Sequence, residues 1–150
     1  MKYVILEIIP TSFKDGDIVQ LSAIKVNDFN VIDRFDYRLN EENIKLKDFL
    51  KIISYDKENF IYKNTSSEIL NDFKNFIEDY KLLLIDNGYT LEYLKNIDNK
   101  KEYINDYLNI PYTENMIDEL IEKYNLEPSN YIVDLMLEAL INESNNKDLF

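Results

Sequence analysis

The chemistry open to this chain is set first by the side chains it lacks. Its 150 residues include no His and no Cys. That removes every Ser-His-Asp and Cys-His nucleophile system, the HExxH zinc site, any thiolate ligand and the commonest general base near neutral pH. Gly16 and Gly88 are its two glycines, too few for a GxGxxG turn or a P-loop to cradle phosphate. What remains is carboxylate chemistry, with or without hard divalent ions. A glycosidase-like carboxylate pair is allowed by composition, but nothing in the sequence resembles its surroundings.

The elements that would position such carboxylates follow from hydrophobic periodicity. Tyr3 to Ile9 is a nearly unbroken apolar run, the pattern of a strand covered on both faces, and Ile18 to Val26 is β-branched and largely apolar. The turn signal Lys14-Asp15-Gly16-Asp17 separates them. Val31 to Leu39 alternates polar and apolar in its later half, as a strand with one wet face does. Short turns between the three predict an antiparallel meander. From Asn40 the period turns helical: Ile44, Leu46, Phe49, Leu50 and Ile53 predict a short helix, and Thr65-Ser66-Ser67-Glu68 is a capping box opening a longer one. In that second helix Ile69, Phe73, Phe76, Ile77 and Tyr80 recur at three- and four-residue steps. Leu82 to Ile85 is too short for a helix and is bounded by Asp86-Asn87-Gly88. It predicts a buried strand parallel to the first, followed by a helix over 90–96. Residues 98–102 read as a polar loop, 103–110 as one weak strand or helix, and two helices over 114–124 and 129–142 close the chain. The class is α/β, a mixed central sheet (three-strand antiparallel meander plus parallel strands) with helices packed on it. Residues 1–142 form a single domain and 143–150 a polar C-terminal tail.

In their order and spacing these segments resemble the DnaQ-like (DEDDh-type) 3′ to 5′ exonucleases of the ribonuclease H-like superfamily, over nearly the whole chain. Val4-Ile5-Leu6-Glu7-Ile8-Ile9-Pro10 lies where the family has F-D-x-E-T-T-G. Asp17 to Val26 is similar to the family's second strand and Asp33-Arg34-Phe35 to its third. Leu84-Ile85-Asp86-Asn87-Gly88-Tyr89-Thr90-Leu91-Glu92-Tyr93-Leu94 resembles V-A-H-N-A-x-F-D-x-x-F-L, one residue shorter, and Ser129 to Asp134 resembles H-x-A-x-x-D.

The resemblance implies a ribonuclease H-like fold and a site in which four carboxylates hold two divalent ions roughly 3.5 to 4 Å apart, with a histidine as general base. Carried over position by position, the first Asp is replaced by Ile5, the Glu is kept as Glu7, the second Asp becomes Thr90, the His becomes Ser129 and the last Asp is kept as Asp134. Ile5 offers no lone pair to bridge two ions, Thr90 has no charge, and Ser129 takes up no proton near neutral pH. The expectation is a degenerate active site with no catalytic residue assigned. Glu7 and Asp134 are the only inherited metal positions, and Asp86 or Glu92 are possible substitutes. Each has a plainer reading: Glu7 as a strand-end carboxylate reaching solvent, Asp134 as an acid favoured by a helix N-terminal dipole, Asp86 and Glu92 as solvated surface acids.

The expected function is an impaired or inactive exonuclease-like domain that serves as a binding module. One alternative is a divergent metal-dependent 3′ to 5′ exonuclease on DNA or RNA with a rearranged carboxylate site. Another is an acidic inhibitor that imitates nucleic acid and occupies the basic groove of a protein. No cofactor is expected, and Mg²⁺ or Mn²⁺ only with residual activity. A net charge of −12 opposes the counterion release that drives duplex binding, so it favours a protein partner over nucleic acid. No apolar stretch is long enough to span a bilayer, and Glu7 interrupts the start too soon for a secretory signal, which makes a cytoplasmic location the default. Oligomeric state is not legible.

Overall fold

Three of the apolar runs pair as their spacing predicts. In the computed structural model, which describes residues 1–10, 17–40, 59–129 and 132–146, β1 (Lys2–Pro10), β2 (Ile18–Asn27) and β3 (Asn30–Leu39) form an antiparallel meander. The turn at 14–17 and the short helix over 44–53 fall, wholly or mostly, outside the described residues. The capping box opens α1 (Ser66–Ile77): Thr65 is extended and its hydroxyl accepts the Glu68 N–H. β5 (Lys81–Leu84) lies parallel to β1, with Ile5 opposite Leu83.

Two further strands were not predicted. β4 (Ile61–Lys63) runs parallel to the last three residues of β3, and β6 (Lys101–Tyr103) parallel to β5. Three residues are too few to show a period, and Lys101-Glu102-Tyr103 reads as polar loop until its neighbour supplies the backbone partners. The sheet order is therefore β4-β3-β2-β1-β5-β6. The predicted helix over 90–96 is a single turn, α2 (Thr90–Tyr93). After it the bonds run in three-residue steps, Leu94 N–H to Leu91 and Ile97 N–H to Leu94, which tighten the chain out of an α-helix. The uncertain stretch resolves as α3 (Ile104–Leu108), then come α4 (Met116–Tyr124) and α5 (Ile132–Asn146). α5 passes the point where the polar tail was predicted to begin. Glu143 is buried there and accepts the Tyr124 hydroxyl.

The strands are covered on both faces, which is why β1 and β2 read as continuous apolar runs. On one face Val4, Leu6, Ile8, Leu21, Ala23 and Phe35 meet Ile69, Phe73 and Ile77 of α1. On the other, Tyr3, Ile5, Ile24, Val26 and Leu83 meet Ile104 of α3, Leu120 of α4 and Val133, Met136 and Leu140 of α5. The result is a three-layer α/β/α sandwich. Among the described residues no helix is long and apolar enough to cross a membrane.

Candidate functional site

The face of the sheet beneath α5 carries three cross-strand rows, because directly opposed residues project to the same side. Ile5 stands opposite Ile24, and Ile24 opposite Arg34. One step along, Glu7 faces Ser22 and Ser22 faces Asp36. One step further, Ile9 faces Gln20 and Gln20 faces Arg38. The ends of each row are two strand spacings apart, roughly 10 Å.

α5 brings Asp134 down on the β3 side of this face. The Arg34 guanidinium donates to both of its carboxylate oxygens, Nη1 to Oδ1 at 2.8 Å and Nη2 to Oδ2 at 3.1 Å. This fork-to-fork arrangement is the strongest geometry open to the pair. Arg34 Nε also reaches Asp36 Oδ2, at a long 3.4 Å. The pKa of Arg34 is raised, chiefly by its hydrogen bonds to Asp134. That of Asp36 is also raised, because burial outweighs the opposing pull of Arg34 and the Ser22 hydroxyl. Asp36 Oδ1 is buried with no hydrogen-bond partner.

The polar network continues into the sheet. Arg38, 1% exposed, donates through Nε to Gln20 Oε1 at 2.9 Å and lies over the Phe60 ring, and Gln20 Nε2 donates to the Ser22 hydroxyl at 3.2 Å. The wet face predicted for β3 is thus covered at this end. Its alternating charges meet partners on β2 and α5 where the pattern alone suggested solvent.

Glu7 is half-buried and lines a different cavity, of about 150 Å³, with Asn87, Tyr89, Tyr112 and Glu114 among its walls. Its charge is one of the influences that raise the Tyr89 pKa, after burial and Tyr112. Thr90 is buried, and its hydroxyl donates to Asn87 Oδ1 at 2.9 Å. The same oxygen accepts the N–H groups of Tyr89 and Thr90 at 3.2 and 3.0 Å, an Asx-type closure that starts α2. Ser129 is exposed before α5. Asp86 is exposed, and Glu92 is exposed and paired with Lys95 at 2.7 Å. Ile5, wholly buried, packs in the core. Glu7 and Asp134 therefore line separate cavities. Among the described residues, no three acidic side chains gather closely enough to hold a metal ion.

Arg34, Asp36, Arg38, Gln20 and Ser22 were not singled out from sequence. A signal existed: Gln20 and Ser22 are polar at alternate positions within the largely apolar run of β2, a pattern that fits a buried network.

Neither a protein-family model nor a curated protein matches the sequence. Solved structures do. Exonuclease X in complex with 5′ overhanging duplex DNA superposes with a TM-score of 0.67 at 11% identity, over 99% of this chain and 94% of that one. The product-bound structure of exonuclease I gives 0.60 at 11%, and the zinc-bound form of the E. coli ExoI–ssDNA complex 0.57 at 13%. This chain spans 44% and 41% of the length of those two. The mixed sheet and its helices are the ribonuclease H-like fold of these exonucleases, and the chain is exonuclease-like in fold.

Proposed function

We propose that this exonuclease-like domain does not hydrolyse nucleic acid and works by binding another macromolecule, a protein in preference to nucleic acid. The observation that carries this reading is the pairing of Asp134 with Arg34. Both oxygens of the carboxylate expected to ligate a cation are taken by a guanidinium. A divalent ion there would have to displace a bidentate charge-assisted pair and then sit beside the positive charge it displaced. The other half of the site supports the same conclusion. Ile5, which the resemblance sets at the position of the bridging ligand, is buried in the core, and Glu7 opens on a separate cavity. This donor set does not fit two divalent ions. The net charge of −12 supports a protein partner.

The test is direct. End-labelled single-stranded DNA and RNA incubated with the protein and Mg²⁺ or Mn²⁺ should remain full length, and Mn²⁺ should leave the thermal midpoint unchanged. Metal-dependent trimming that disappears in Glu7→Ala would overturn the proposal in favour of a divergent nuclease.

A further inference from the structure

β4 pairs with residues 37–39 of β3 and no others. Among the described residues, no strand meets the outer side of β3 from Asn30 to Asp36. Asn30 to Arg34 are exposed, including Val31 at 41% and Ile32 at 53%. Such an edge offers backbone groups for strand pairing together with apolar side chains, and natural sheets ordinarily protect it; here the Arg34 N–H is held by its neighbour Asp33, at 2.8 Å, a local bond that an added strand would replace. A cavity of about 530 Å³ opens where β4 begins, walled by Arg34, Asp36, Tyr37, Asn59, Ile61 and Asp134.

The chemistry of that cavity names what would enter it. The Asp36 side chain is nine-tenths buried; it takes a long 3.4 Å contact from Arg34 on Oδ2 and the pull of the Ser22 hydroxyl, while Oδ1 has no hydrogen-bond partner. An under-satisfied buried carboxylate is costly, and a second positive donor offsets the cost. Asp134 already engages Arg34, so the two carboxylates and one guanidinium leave the cavity with a net negative charge. We infer that the free edge of β3 takes an extended, basic segment of a partner protein as an added strand, with a Lys or Arg side chain placed in the cavity on Asp36. The idea rests on the proposed binding role and specifies its partner. Main-chain pairing with residues 30–36 supplies the affinity, and the cation on Asp36 sets the register. A second copy of this chain is the poorer occupant, since it would bring Asp33 and Asp36 and a further charge of −12 to the same edge.

The probe is a capped peptide of about nine residues alternating Lys and Val. Its controls are the Glu–Val counterpart and a Lys–Val peptide N-methylated on alternate amides, which keeps the charge but cannot pair as a strand. The Lys–Val peptide should bind and slow amide hydrogen exchange across 30–36. Asp36→Asn should weaken it about tenfold, as loss of a charge-assisted contact does. The exposed-site variant Ile32→Lys should weaken it as well with the fold intact. Equal binding of the N-methylated peptide, or binding without protection of 30–36, would show charge attraction alone and overturn the inference. So would no binding at all, or concentration-dependent protection of 30–36 in the protein by itself, which would assign the edge to a second copy. Any of these results leaves the nuclease assay untouched, so the inference and the binding reading fail separately.

Discussion

The Asp36 carboxylate has a folded-state pKa above its ordinary value, principally from burial. Such a group favours folding when protonated and opposes it when charged. The penalty is absent below the unfolded pKa and complete above the raised folded one. Asn imitates the protonated form, so Asp36→Asn should match or exceed the parent protein in thermal midpoint at pH 7, and the gap should close as the pH falls below about 4. A midpoint lower than the parent's at pH 7 would mean that the long contact to Arg34 outweighs desolvation. The same variant serves the peptide experiment, where it should lose binding without losing fold. At this scale the sequence was informative about side-chain chemistry: Ile5 offers no lone pair, and Thr90 and Ser129 carry no charge. Arg34 gave no such sign, because its partner Asp134 lies 100 residues away along the chain.

At the scale of elements, local chemistry and long-range packing can be told apart by the sizes of two substitutions in α1. Thr65→Ala removes one capping bond at an exposed helix end and should cost about 1 kcal/mol. Phe73→Ala empties a fully buried site against Phe35 and should cost about 3 to 5 kcal/mol. Denaturant melts of the two, compared with the parent, check the ratio. Equal costs would contradict the placement of Phe73 in the core. On the opposite edge of the sheet, Glu102 of β6 accepts the Tyr107 hydroxyl of α3 and is paired with Lys81 of β5 and with Lys100, at 3.2 and 3.1 Å. These contacts, the Tyr107 bond foremost, lower its pKa to about 2. A depressed carboxylate contributes stability above its unfolded pKa and loses it as the pH falls through the folded one. Glu102→Gln should therefore lower the melting temperature at pH 6, with the difference vanishing between about pH 4.5 and pH 2. A difference that persists at pH 2 would point to packing rather than charge. The long strands and α1 were legible because each carries enough residues to show a period. β4, β6 and the end of α2 were not, because three or four residues carry none.

For the whole molecule, a net charge of −12 over 150 residues sets up self-repulsion that added salt screens. Raising NaCl from about 10 mM to about 200 mM should raise the thermal midpoint, because the screened repulsion exceeds what the surface ion pairs lose. A fall in the midpoint would reverse that balance. The sequence alone determined the α/β class, the antiparallel meander with a parallel fourth run beside it, and the absence of thiol and imidazole chemistry. Periodicity and side-chain type are local properties that no fold can alter. The tertiary structure decided how the acids are distributed. It sent Glu7 and Asp134 into separate cavities, gave Asp134 to Arg34, and, among the described residues, set no strand against the outer side of β3 from Asn30 to Asp36. Each of these depends on pairing register and on the seat of α5 over the sheet, which arise from contacts between residues far apart in the chain.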